Sequence, residues 1–513
     1  LAFHPTLFSR FGRMQSDIGD TRHLNYVLEH GHRWLVQAPG HPPLWSPAMF
    51  FPEPNTGAYT ELLLGVVPFY TPWRLLGLLP DTAFQLWMIT VAVINFVAAY
   101  LLLRRPLGHS PFAASFGAFL FSFGTPRLAQ LNHQHLLPQF FTLWALHALL
   151  RVFQRHREGR ARETAGWILA FSAALAAQVY ACFYYGWFFG VALLVAALWT
   201  LGSAPLRAEL LGLVRARWRA LAVAVVGGAL ALAPLGWHYL RAARTVGVRQ
   251  FGEAVGMIPR FQSWFDLGAE SWLYGWTGRL HMFSSLPMEW EHRLGFGLLT
   301  TGLVVWALWR GRRRPLFRLL LLTSATIILL ASYYRGGWTP WWLVFHGVPG
   351  ARAIRAVTRI GILLLIPAAI GFAAFLDRAP QGRKRWVAAA LGLFCLVEQG
   401  RAAMSYDKAG KRADVDRVSA AIGKECRAFY YSPEGGPPLH YDAQLDAMWA
   451  QLETGVPTLN GYSSNFPRNY EDLMDNRILS EEDRARIGAA LDDWMKSRGL
   501  DRAAVCWVRV PAR

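Results

Sequence analysis

The feature that most constrains this chain is a series of long apolar runs joined by short arginine-rich connections. The runs lie at about 82–103, 111–125, 136–153, 165–182, 184–201, 218–236, 294–309, 316–333, 357–376 and 385–402. Several reach the roughly 20 apolar residues that cross a bilayer as a helix. Only 17% of the 513 residues are charged, against about a quarter in ordinary globular domains. The 23 Trp and 32 Phe suit membrane interfaces. The expected class is therefore mainly α: a polytopic transmembrane helical bundle of about ten visible spans. The run 111–125 is short and holds Gly117 and Gly124, so it reads as buried or tilted. The stretch 62–79 is broken by Pro68, Pro72 and Arg74 and reads as interfacial or re-entrant.

The formal charge of +19 raises the question of nucleic acid. The arginines form no single stripe, however, and fall between apolar runs, as in cytoplasmic loops. No nucleic-acid partner is expected. The basic short loops are Arg104-Arg105, Arg151 to Arg162, Arg207 to Arg219, Arg310 to Arg318 and Arg378 to Arg385. Placing each in the cytoplasm puts 1–81, 126–135, 237–293, 334–356 and 403–513 outside. The expected location is the cytoplasmic (inner) membrane, with the active site and the C-terminal domain extracytoplasmic. A threading that starts outside implies a further span ahead of Leu1. The expected organisation is a first outer loop with interfacial helices (1–81), a bundle (82–402) and a C-terminal soluble α/β domain (403–513).

In the tail, Ala413–Lys424, Ala443–Glu453 and Glu481–Ser497 read as helices, and Cys426–Ser432 and Ala503–Val510 as strands, with a turn at Pro433 to Pro438. Cys426 and Cys506 fall on the two strands. In an oxidising compartment they either pair or remain two buried thiols. Cys182 and Cys395 lie in apolar runs and read as small core residues.

The chemistry-bearing residues concentrate in the outer segments. Asp17 and Asp20 are three apart and share a face if the segment is helical. A carboxylate held there can serve as a general base on a hydroxyl; the pair reads alternatively as an ordinary solvated loop, or Asp17 as a helix N-cap. Glu61 is a second carboxylate near the same outer region, or a favourable charge at a helix start. Arg127, His133 and His135 lie in a short outer turn. The His pair suits substrate hydrogen bonding, a phosphate or a metal, although catalytic zinc usually needs three protein ligands. No metal site is assigned, and a divalent metal is left open as a cofactor. Arg352, Arg355 and Arg359, spaced three and four apart, can face one way on a helix. They suit a phosphate or headgroup snorkelling. Glu289 and Glu291, beside His292 and Arg293, read as a salt-bridged cap or a substrate contact. Glu398 is a late carboxylate inside an otherwise uncharged span.

The chain resembles the GT-C superfamily of polytopic glycosyltransferases and, more narrowly, bacterial YfhO-type membrane proteins. The resemblance rests on Gly19-Asp20 with His23-Leu24-Asn25-Tyr26; Phe50-Phe51-Pro52-Glu53-Pro54-Asn55-Thr56-Gly57-Ala58-Tyr59; Phe123-Gly124-Thr125-Pro126-Arg127-Leu128 with His133 and His135; Val348-Pro349-Gly350-Ala351-Arg352-Ala353-Ile354-Arg355; and Asn460-Gly461-Tyr462-Ser463. It implies a first outer loop with a catalytic carboxylate, which Asp20 matches best, and a sugar donor carried on a polyprenyl phosphate. The chain departs from the pattern at Thr60-Glu61, where an Asp is expected. The expected activity is an inverting membrane glycosyltransferase acting on a cell-envelope acceptor. Its expected partners are a polyprenyl-phosphate-linked sugar, membrane lipid, and a glycan, lipid or protein acceptor. The alternatives are a lipid or glycan transporter or flippase, and a non-catalytic envelope-assembly protein.

Overall fold

The computed structural model describes residues 2–378, 383–435 and 440–511. Parts of two expected features, the basic loop 378–385 and the turn 433–438, lie outside the described residues. Each expected apolar run is helical. Six helices are long and apolar enough to cross a membrane: Pro80–Arg104, Gln134–Arg157, Ala161–Ala181, Phe183–Leu201, Ala204–Val246 and Val357–Asp377. A seventh candidate is the pair Pro315–Leu330 and Arg335–Gly347, bent by 88°. The protein is an integral membrane protein. The stretch 62–79 holds only a short helix, Val67–Leu75.

The expected basic loop 207–219 is instead helical. It belongs to Ala204–Val246, whose only break in helical backbone is at Arg217. The reason is local: Leu, Arg, Ala and Glu are all strong helix formers, so basic charge alone does not end a helix.

The described chain divides into two compact units. The first comprises chiefly Met88–Ala233 and Arg249–Ala403. In it, helix Pro111–Phe123 packs on Leu365–Asp377, and Leu298–Gly311 packs on the same partner. A Cβ at Gly117 would lie 2.8 Å from the Ala369 carbonyl, so this short run depends on a small residue for close backbone approach. Glu398 is buried and caps helix Leu298–Gly311: its carboxylate accepts the Leu299 and Thr300 N–H groups at 3.0 and 2.8 Å. That accounts for a carboxylate inside an apolar helix, since the first N–H groups of any helix lack internal partners.

The second unit comprises Phe3–Trp87, Pro234–Val248 and Met404–Arg513. Opening segment and tail thus fold together. Strand β1 (Arg13–Gln15) pairs antiparallel with β2 (Ser405–Asp407). Strands β3 (Ala428–Glu434) and β4 (Val505–Pro511) pair in parallel, with Phe429 opposite Cys506. Parallel strands need a crossover connection, and helices His440–Thr454 and Glu481–Ser497 lie within it. The second of these is legible residue by residue. Ser480 caps it by accepting the Asp483 N–H, acidic residues fill its first turn, and Ile487, Leu491, Trp494 and Met495 form its buried face. Cys426 and Cys506 form a disulfide.

The element that holds this unit together is helix Asp20–Leu35, whose residues Thr21 to His32 are all buried although seven of these twelve are polar. Burial of polar groups is tolerable only with partners. Arg22 lies 2.6 Å from both Asp442 and Asp446. Glu29 receives Arg33, Arg74 and the Tyr70 hydroxyl at 2.7–2.8 Å. His30 contacts the Leu44 carbonyl at 3.0 Å and His41 at 2.8 Å. Burial pushes His23 and His30 down to about 4 from 6.5. Both are therefore neutral in the fold, and the unfolded chain binds more protons between those values. Their stabilisation is present above pH 6.5 and is lost as pH falls toward 4, on the order of 3 kcal/mol for each. Unfolding midpoints of the detergent-solubilised protein should therefore fall steeply from pH 7 to pH 5. In His30→Gln the slope should be shallower.

Candidate active site

Asp20 stands in the first turn of helix Asp20–Leu35, where the helix dipole favours a carboxylate. Asp17 lies before the helix, so the two do not share a helical face. Its Oδ1 instead accepts the N–H groups of Gly19 and Asp20 at 2.7 and 2.9 Å, as a cap. Asp20 Oδ1 accepts a hydrogen bond from the Tyr462 hydroxyl at 2.7 Å. The His23 ring meets Tyr462 edge-on, with centroids 5.4 Å apart, and its Nε2 is 3.3 Å from Thr60 Oγ1. Tyr441 lies 5.7 Å from Tyr462, ring to ring. Burial, and then the Asp20 charge, push the Tyr462 phenol well above its ordinary range. The phenol is thus a permanent donor. Among the described residues, two buried polar atoms here, His23 Nδ1 and Ser463 Oγ, have no hydrogen-bond partner.

Local sequence explains why Tyr462 reaches Asp20. Phe50 and Phe51 donate their N–H groups to the carbonyls of Asn460 and Thr458, and Thr458 donates to Ala48, each at 3.0 Å. The Asn460 side chain accepts the Tyr431 N–H at 2.7 Å and donates to the Tyr431 carbonyl at 3.1 Å. Gly461 then passes flat against Phe50, where an added Cβ would lie 2.3 Å from the ring. Gly461→Ala is therefore expected to destabilise the protein by about 1–3 kcal/mol through overpacking. A lowered unfolding midpoint in denaturant measures it. On the other side, Asn55 binds the His238 carbonyl at 3.0 Å, and Tyr239 donates to the Thr60 carbonyl at 2.7 Å. Glu61 follows in coil, half-buried, with both carboxylate oxygens shielded. The next helix begins only at Val67, so Glu61 is not a helix-start charge.

The first unit holds a separate polar centre built on buried Glu291. Its Oε1 lies 3.1 Å from both Arg359 Nη2 and His133 Nε2, and Thr358 Oγ1 is 3.4 Å from Oε2. Burial raises the Glu291 carboxyl, but Arg359 and His133 outweigh it and hold the group well below the carboxylate range. His135 Nε2 accepts from Arg359 Nη1 at 3.2 Å, and the guanidinium lies over the Tyr184 ring. Each imidazole Nε2 thus faces a protein partner. The expected helical ledge of three arginines does not form. Residues 354–356 interrupt the helical backbone, leaving Arg352 and Arg355 exposed and Arg359 buried. Arg127 is buried in the turn it closes, donating to the carbonyls of Phe121, Leu136 and Leu137 and to Gln139. Arg293 pairs with Glu289 at 2.8 Å, which is the salt-bridged alternative for that segment.

Sequence reasoning did not single out Tyr462, Tyr441, His23 or Glu291 in these roles. The motifs Asn460-Gly461-Tyr462-Ser463 and Gly19-Asp20 were visible separately, but nothing in either says that they meet.

Comparison with known proteins bears on the fold. No protein-family model matches the chain, and no curated protein does. Among solved structures the chain is similar to the arabinofuranosyltransferase AftD from Mycobacteria, with a TM-score of 0.50 and 17% identity over 92% of this chain. It spans only 32% of the AftD chain. It is also similar to ArnT from Cupriavidus metallidurans in the apo state, with a TM-score of 0.44 and 14% identity over 85% of this chain and 81% of that one. The likeness to AftD is one of fold alone, a helical membrane-protein fold.

Proposed function

We propose that this protein is an inverting membrane glycosyltransferase of the YfhO-like type that builds a cell-envelope glycan from a polyprenyl-phosphate sugar. The observation that carries the reading is Asp20: a carboxylate at a helix start, held by a phenol and bordered by a buried neutral imidazole. An acceptor hydroxyl placed there gives its proton to Asp20 as its oxygen attacks the anomeric carbon. The bond from that carbon to the phosphate oxygen breaks, and the polyprenyl phosphate departs with the electron pair. Asp17 supports the helix start rather than reacting. His23 Nδ1 and Ser463 Oγ have hydrogen-bonding capacity for sugar hydroxyls. Of the three arginines, Arg352 and Arg355 are the exposed ones and suit a phosphate in their own unit. Arg359 is engaged by Glu291. Glu61 is proposed as a supporting residue, whereas His133 and His135 are engaged by Glu291 and Arg359 within their own unit. The disulfide is consistent with an oxidising, extracytoplasmic setting for the tail.

The test is direct. Purified protein in detergent receives radiolabelled polyprenyl-phosphate pentoses and hexoses together with envelope glycan acceptors. A covalently extended acceptor with an inverted anomeric centre is expected. Sugar uptake into sealed vesicles with no covalent product would replace this reading with transport.

A further inference from the structure

We infer that Tyr462 is a positioning residue for Asp20, so that the C-terminal domain completes the catalytic carboxylate rather than merely adjoining it. The inference rests on the reading of Asp20 as the base. The phenol donates to Asp20 Oδ1 at 2.7 Å across 442 residues of sequence. Its backbone is fixed at consecutive positions: Gly461 N–H bonds Gln444 Oε1 at 3.0 Å, and Tyr462 N–H lies 3.2 Å from Met448 Sδ. Such a hydrogen bond locks the carboxylate in one orientation and stabilises its charged form over its neutral form. Among the described residues, Asp17, His23, Tyr441 and Tyr462 face Asp20. His23 stays neutral down to about 4, and both tyrosines are raised above 10. None of these three changes charge between pH 5 and 9, so a shift of the acid limb in that range does not come from them.

The variant is Tyr462→Phe, which keeps the ring and removes the donor. The first readout needs no substrate. The full-length protein in detergent is treated with a water-soluble carbodiimide and a glycine ester at pH 6, and labelled carboxylates are mapped by mass spectrometry. Asp20 labelling should rise several-fold in Tyr462→Phe, with Asp17 labelling unchanged as the internal reference. The second readout is the pH profile of transfer from the polyprenyl-phosphate sugars above. The acid limb of kcat/KM should move up by about one pH unit, and kcat should fall roughly tenfold to a hundredfold, with KM for donor unchanged. Unchanged Asp20 labelling in a folded variant overturns the inference, as does an activity loss that is uniform across pH. Failure of the underlying reading looks different: labelling responds to Tyr462→Phe, but Asp20→Asn retains transfer.

Discussion

Asp20→Asn is expected to reduce glycosyl transfer by about 10²–10⁴-fold, the range that a positioned general base contributes, while the protein folds normally. The exchange is nearly isosteric. The amide oxygen still accepts the Tyr462 hydroxyl, which is now 2.7 Å from the carboxylate. What disappears is basicity, because an amide does not take a proton from an attacking hydroxyl. The negative charge at the helix start is also lost, which costs only about 0.3–1 kcal/mol. Activity and stability should therefore separate: turnover nearly gone, unfolding midpoint within a few degrees of wild type. Transfer assays and thermal scans on the same preparation measure both. Wild-type turnover in this variant would remove Asp20 as the base.

Arg22→Ala should show the opposite pattern, with a loss of about 3–5 kcal/mol of stability. Arg22 is 5% exposed and holds Asp442 and Asp446 at 2.6 Å each. Lys411 also reaches Asp442, at 2.5 Å, but among the described residues no cation other than Arg22 forms a salt bridge with Asp446. Truncating the guanidinium leaves a buried, uncompensated carboxylate, and that penalty exceeds whatever the intact pair contributes. Burial already pushes Asp446 upward against the pull of Arg22. In the variant Asp446 has to fold protonated, so the deficit should shrink as pH is lowered from 7 to 5. Chemical denaturation at those two pH values measures it. The double variant Arg22→Ala with Asp446→Ala should recover part of the loss. A stability unchanged by Arg22→Ala would show that the opening helix is not anchored to helix His440–Thr454 by this pair.

The apolar runs and the closing helix could be read directly because their information is local. A run of about 20 apolar residues has few places to go but a bilayer. Ser480, three acidic residues and a helical stripe of apolar residues mark Glu481–Ser497 without reference to anything else. Helix Asp20–Leu35 shows the limit of that reading. The stretch from Asp20 to Leu35 is rich in Arg and His and suggests a solvated loop, yet Thr21 to His32 are all buried. A polar helix can be buried only when most of its polar groups find partners, and here many come from residues near 44, 74 and 442–451. No spacing within the helix encodes them.

By itself the sequence determined a mainly helical membrane protein, the closing strand that bears Cys506, and Asp20 as the carboxylate to examine; the strand expected to bear Cys426 begins two residues later, at Ala428. Tertiary structure decided which charges are available. It turned Arg359 toward Glu291, closed Arg127 into its own turn, made Asp17 a cap, joined the two cysteines and set Tyr462 on Asp20. The physical reason is that charge and polarity are properties of residues, whereas the availability of a charged group depends on what lies within about 3 Å of it. In this chain those neighbours are often hundreds of residues away.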